Sequence, residues 1–240
     1  MVSPRAWRGV MTAILLVPGL LCSEEIFAPQ LPTLWPHGPV AIANTLAGET
    51  MAEIAARILK NAPPRFALAG VSMGGYLAFE ILRQAADRVE KLALICTSAR
   101  PDTPEQTAAR RKMLDQARAV GFERFLNLGA DALTHPSRKG DPALNAVSIR
   151  MGRTVGLDGF ARQTEAVIAR PDSRPLLAEI SVPTTIVVGD ADPLTPMALS
   201  EEMAAAIPGA TLTIAADCGH VITLERPEVV NKALDAWLTR

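Results

Sequence analysis

Three residues of this 240-residue chain, Ser72, Asp192 and His220, have the types and the order needed to attack a carbonyl group. Ser72 stands in Gly70-Val71-Ser72-Met73-Gly74, a G-x-S-x-G pattern that marks a sharp strand-to-helix turn presenting a serine hydroxyl. A serine hydroxyl is a weak nucleophile on its own. It needs a base to take its proton, an acid to orient that base, and N–H donors for the oxyanion that forms. His220, in Asp217-Cys218-Gly219-His220, is the candidate base. Two carboxylates in Gly189-Asp190-Ala191-Asp192-Pro193 compete for the role of acid. Asp192 is preferred because it lies further out on its loop, with Pro193 and Pro196 stiffening the chain beyond it. Asp190 is read as a brace that bonds backbone N–H groups. The oxyanion donors are expected from Met73, next to the nucleophile, and from Leu20, in the loop Val17-Pro18-Gly19-Leu20. His37 and His135 are read as solvated loop residues. The histidines show no H-E-x-x-H pattern, and Cys22, Cys96 and Cys218 show no C-x-x-C spacing. No metal, cofactor or disulfide framework is therefore expected.

Such a turn requires a strand before it and a helix after it. An apolar run over residues 66–69 and a helical pattern over 75–84 meet that requirement. Further short runs of Val, Ile, Leu and Ala, over 13–17, 40–44, 92–96, 184–188 and 211–214, read as strands covered on both faces. Helical patterns over 50–60, 199–206 and 228–238 alternate with them. This rhythm predicts an α/β fold, a doubly wound and mostly parallel sheet of about six strands. It breaks between Pro101 and Ile180, where four amphipathic helices are expected, roughly 104–119, 121–132, 141–151 and 156–169. Residues 1–100 and 181–240 thus form the predicted core. Residues 101–180 form a helical cap over the carboxyl edge of the sheet, where ligands bind in open α/β folds. The arginines of this insertion, such as Arg111, Arg118, Arg150 and Arg153, are read as solvated helix faces balanced by nearby acids.

The N-terminus admits two readings. Arg5 and Arg8 before an apolar run ending at Cys22 suggest a signal peptide. Leu21 before the cysteine and the interrupting Pro18-Gly19 favour a buried strand instead, with residues 1–9 as an extension and Met11 as a candidate start. A cytoplasmic location follows from the strand reading. A net charge of −1 argues against a nucleic-acid partner, and no run reaches the ~18 apolar residues of a membrane span. A hydrophobic content of 49% calls for a substantial core.

Taken together, Gly70-Val71-Ser72-Met73-Gly74-Gly75, Gly189-Asp190-Ala191-Asp192 with Pro196, and Gly219-His220 resemble the α/β-hydrolase superfamily, and more narrowly its small bacterial esterase-like members with a helical cap. The resemblance runs from about Met11 to the C-terminus. Many members carry His-Gly where this chain has Pro18-Gly19, and many begin with a hairpin for which there is no room here. The resemblance implies a serine hydrolase of small carboxylic esters or lactones, working through an acyl-enzyme on Ser72. Alternatives on the same frame are C–C bond hydrolysis, a non-hydrolytic elimination, or a non-catalytic ligand-binding protein. Aromatic content is only 4%, so a pocket lined by aliphatic side chains such as Leu21, Leu194 and Val221 is expected. Activity should rise with pH through the histidine reference value of ~6.5, because the base must be neutral. Oligomeric state leaves no mark in the sequence.

Overall fold

In the first, third and fourth strands, alternate side chains take opposite sides of one sheet. Ile14, Leu16, Ala67, Ala69, Ala93 and Ile95 pack into one apolar cluster, and Leu15, Val17, Leu68, Leu92 and Leu94 into another. All of them are buried, as expected for strands covered on both faces. The computed structural model describes residues 11–240; the extension expected over residues 1–9 lies outside the described residues. Six strands, β1 (Ile14–Val17), β2 (Val40–Ile42), β3 (Phe66–Val71), β4 (Val89–Ile95), β5 (Thr184–Gly189) and β6 (Thr211–Ala215), form one sheet. Their order is β2-β1-β3-β4-β5-β6, and every neighbouring pair is parallel. Each predicted strand is present, although β2 is cut to three residues at the sheet edge.

The helices are α1 (Leu31–Leu34), α2 (Met51–Asn61), α3 (Met73–Ala85), α4 (Pro104–Val120), α5 (Phe122–Gly129), α6 (Pro142–Ile168), α7 (Met197–Ala206), α8 (Ile222–Glu225) and α9 (Pro227–Leu238). Ile54 and Ile58 of α2, Leu77 and Ile81 of α3 and Met203 of α7 cover one face of the sheet. Val230, Leu234 and Trp237 of α9 cover the other, with Ile26, Phe27 and Leu34. These last three come from short turns over residues 24–37 that the sequence pattern does not announce. Pro29, Pro32 and Pro36 cut the segment into pieces too short for helical periodicity to register.

Between β4 and β5 the chain is helical, as predicted. Thr103 and Gln106 form a reciprocal capping box that starts α4, with Pro104 in its first turn. The expected helices over 141–151 and 156–169 run together as one kinked element, α6. The kink is Gly156 (φ 71°, ψ 167°), so the predicted interruption is a bend, not a loop. Phe122, Phe125 and Phe160 stack with ring centroids 5.6 to 6.3 Å apart, and this cluster extends onto Leu20 and Leu21, in the loop after β1. Arg111, Arg118, Arg150 and Arg153 each meet an acid, in keeping with solvated and balanced faces. No helix among the described residues is long and apolar enough to cross a membrane.

Candidate active site

Backbone strain is concentrated along one edge of the sheet. Among the described residues, the non-glycine positions with left-handed φ are Leu21 (58°), Ser72 (54°), Cys96 (44°) and Asp217 (50°). They follow the carboxyl ends of β1, β3, β4 and β6. Such conformations persist only where their surroundings over-determine them, and they gather at functional sites.

At Ser72 the cause is visible. The chain leaves β3 at Val71 and enters α3 at Met73, so one residue makes the whole reversal (φ 54°, ψ −116°). A Cβ on Gly70 would overlap the backbone of Gly74, and one on Gly74 would overlap the carbonyl of Val17. Strand, helix and the neighbouring β1 loop therefore approach each other as only glycine permits. Ser72 N–H donates to the Ile95 carbonyl (2.9 Å), and the Thr97 hydroxyl donates to the Ser72 carbonyl (2.8 Å). Its own hydroxyl is left to face His220.

The three sequence-predicted residues meet. Ser72 Oγ lies 2.9 Å from His220 Nε2, and His220 Nδ1 lies 2.7 Å from Asp192 Oδ2. A carboxylate can only accept, so Nδ1 carries the proton and Nε2 accepts from the serine hydroxyl. Asp192 is 4% exposed and held from several directions. Its Oδ1 accepts from the N–H groups of Leu194 (2.8 Å) and Thr195 (2.9 Å), and its Oδ2 accepts from the Thr195 hydroxyl (2.7 Å). Burial by itself pushes this carboxyl up; the hydrogen bond and charge of His220 and the Thr195 donors outweigh it, holding it below the ordinary aspartate range. Asp190 lies elsewhere. It accepts from the backbone N–H groups of Cys218 and Asp217 (3.1 Å each), which hold its carboxyl low. It thus braces the loop that carries His220.

A second carboxylate, unmarked by the sequence pattern, holds that loop from the other side. Glu225 is 3% exposed. Its Oε2 accepts from Gly219 N–H (3.2 Å) and from His135 N–H (2.8 Å), and its Oε1 accepts from Val221 N–H (3.2 Å). The residues on both sides of His220 are thereby pinned, and His220 N–H itself donates to the Leu133 carbonyl (2.8 Å). A Cβ on Gly219 would strike the backbone of Leu133 and His135, so only glycine lets the insertion seat on this loop. His135 is thus a seating point of the insertion, and His37 pairs with Asp235 (2.8 Å) away from the site.

Leu20 lies in the loop after β1 and Met73 directly follows Ser72, and among the described residues neither N–H takes part in a loop hydrogen bond. Met73 opens α3, where unsatisfied N–H groups and the helix dipole favour negative charge. Of the expected pocket residues, Leu21 packs into the phenylalanine cluster, Val221 against the α9 side of the core, and Leu194 carries an N–H bound to Asp192. None of the three lines the cavity of about 220 Å³ beside the β1 loop, whose walls include Pro18, Cys22, Asn44, Thr45 and Val155. Cys96, Asp192 and His220 bring three donor atoms within 4.8 Å of one another. Burial, and then the Asp192 charge, pushes the Cys96 thiol well up. Nδ1 and Oδ2 are already bonded to each other, so two of the three donor atoms are engaged with one another. Burial also pushes the Cys22 and Cys218 thiols up to about 12.

A parallel sheet carrying a serine on a strained strand-to-helix turn, with an aspartate and a histidine on the last two strand loops, points to the class. The chain belongs to the alpha/beta hydrolase family, whose sequence profile matches residues 2–233. Among its relatives is a pimeloyl-[acyl-carrier protein] methyl ester esterase of Aromatoleum aromaticum, 28% identical over 94% of this chain and 89% of that protein. A thermophilic esterase from Thermogutta terrifontis superposes with a TM-score of 0.84 at 29% identity, covering 96% of this chain and 90% of the other. The enol-lactonase from Burkholderia xenovorans superposes with a TM-score of 0.85 at 25% identity, covering 97% and 93%. All three named proteins are hydrolases of ester or lactone bonds.

Proposed function

We propose that this chain is a serine esterase of small carboxylic esters or lactones, and that Ser72, His220 and Asp192 are its nucleophile, base and orienting acid. The observation that carries this reading is the continuous hydrogen-bonded line from Ser72 Oγ through His220 to Asp192, with the serine on a strained turn. His220 Nε2 takes the hydroxyl proton as Ser72 Oγ attacks the ester carbon. Asp192 keeps the imidazole in the tautomer that can accept, and stabilises the imidazolium that forms. The N–H groups of Met73 and Leu20 receive the oxyanion. His220 then protonates the leaving alcohol, and a water molecule repeats the sequence on the acyl-enzyme. The helical segment 101–180 acts as a cap, and its side chains choose the substrate. The ester and lactone chemistry named for the relatives supports the substrate class. The unpaired thiols of Cys22, Cys96 and Cys218 support a reducing, cytoplasmic setting.

A fluorophosphonate probe tests the nucleophile. Folded protein should be labelled at Ser72, and the Ser72→Ala variant should not. Failure to label folded wild-type protein would sink the reading. A panel of aryl esters, lactones and vinylogous diketones tests the substrate class; turnover confined to the diketones would transfer the site to C–C hydrolysis.

A further inference from the structure

The loop after β1 closes as a tight turn, with Cys22 N–H donating to the Gly19 carbonyl (3.2 Å). The third residue of this turn, Leu21, has φ 58°. Turns with a left-handed third residue ordinarily place glycine there, because a side chain is strained in that region. A leucine at this position needs something outside the turn to hold it. That hold comes from the helical insertion. Gln163, on the second half of α6, is 1% exposed, and its Oε1 accepts the Leu21 N–H (3.1 Å) across 142 residues of sequence. Its Nε2 donates to the Thr45 hydroxyl (3.0 Å), on the loop after β2. Phe160, one turn earlier on the same helix face, packs against Leu20 and Leu21.

We propose that Gln163 is a positioning residue for the oxyanion hole: by holding the Leu21 N–H, its side chain keeps the Gly19–Cys22 turn in place, and that turn fixes the Gly19–Leu20 peptide that carries the Leu20 N–H. The proposal rests on the esterase reading above. The chemistry requires both amide faces. The Leu21 N–H can only donate and so takes Oε1, which leaves Nε2 to face the Thr45 hydroxyl and, at 3.5 Å, the Thr45 carbonyl, which can only accept. Without the stitch, the peptide between Leu20 and Leu21 is free to turn over and release Leu21 from its strained φ. Relaxation at Leu21 loosens the turn, and the Gly19–Leu20 peptide, whose N–H must meet the oxyanion, is no longer held in one position. Ground-state binding of an ester carbonyl depends little on that donor, so the effect belongs in kcat. The same stitch makes the insertion part of the catalytic geometry: wherever α6 moves, the oxyanion loop moves with it.

The test compares Gln163→Leu, Gln163→Glu and Thr45→Val with wild type on an aryl ester, with active sites counted by endpoint fluorophosphonate labelling. Gln163→Leu should lower kcat per labelled site by about 10- to 100-fold, up to the cost of a displaced group and short of the ~10²- to 10³-fold for an oxyanion donor lost outright. KM and the pH midpoint of kcat/KM should stay at their wild-type values. Gln163→Glu keeps an acceptor for Leu21, and Thr45 can turn its hydroxyl to donate; kcat should return to within about fivefold of wild type. Thr45→Val should give a smaller loss in the same direction. A Gln163→Leu enzyme with wild-type kcat per labelled site would overturn the proposal, as would a loss confined to KM or a shifted pH midpoint. If Gln163→Leu does not fold, the other two decide: a kcat loss in Gln163→Glu as large as that in Thr45→Val, or larger, overturns it. Wild-type protein that takes no label would remove the esterase reading itself. An active wild type with an indifferent Gln163 removes only the positioning role.

Discussion

Two of the buried polar networks among the described residues differ in an instructive way. At the root of the insertion, Asp102 is almost wholly enclosed and pairs with Arg110 (2.7 Å) and Arg170 (2.6 Å). Arg170 also donates to the carbonyls of Arg100 and Val167, and its guanidinium lies 4.1 Å from the centre of the Tyr76 ring. Every strong group there is answered by another within the protein. At the sheet edge, Asp192 is as thoroughly answered, His220 is held on both sides, and the line ends at the hydroxyl of a half-buried serine. Burial and charge are common to both networks. Only the second ends in a nucleophilic type of group on a strained turn, and that is what makes it the candidate site and the first a buried brace.

The comparison can be broken in several places. The largest effect is expected from Ser72→Ala, which should reduce turnover by on the order of 10⁶-fold, as removal of a triad nucleophile does. Its melting temperature should not fall, because nothing structural hangs on that hydroxyl. Next comes Asp192→Asn, for which kcat should drop roughly 10⁴-fold through the wrong imidazole tautomer, with KM little changed. Steady-state kinetics with titrated active sites would check both. Asp102→Ala should do the reverse. Two arginines lose their partner, and chemical denaturation should register a loss of about 3–5 kcal/mol while kcat per labelled site stays close to wild type. A large fall in kcat there, with stability intact, would mean that the two networks are one.

The smallest effect concerns acid stability. The Asp192 carboxyl titrates below its ordinary value, so its contribution is fully present above the unfolded aspartate pKa of ~3.9 and is lost as pH falls through the lower folded value. Melting curves recorded between about pH 6 and about pH 3 should steepen in the acid limb for wild type and flatten for Asp192→Asn. An unchanged acid limb would show that the carboxylate is not stabilised by its surroundings.

Much of the core was legible because its signals are local. Strand runs of Val, Ile, Leu and Ala and the glycines around Ser72 act over a few residues, and the parallel six-stranded sheet results from them. The two halves of α6 read as separate helices because Gly156 punctuates the pattern as a loop would, although a single glycine can also bend a helix that continues. Glu225 stood in plain view, five residues after His220. Its three backbone donors come from three positions, one of them His135 in the insertion, and no spacing rule encodes that. Gln163 had no signal at all, since its partners are Leu21 and Thr45, more than a hundred residues away.

The chain order of Ser72, Asp192 and His220 singled out the candidate reacting groups, because residue type and position relative to strand ends limit what each group can do. Whether they touch was decided by the sheet, which sets β3, β5 and β6 in an order that brings three loops to within hydrogen-bond reach. The same holds for the left-handed φ of Leu21 and the way the insertion seats on Gly219 and Leu21. These depend on surfaces that meet only after the core has formed. Side-chain type is local information; the contact that turns it into a role is a property of the packed whole.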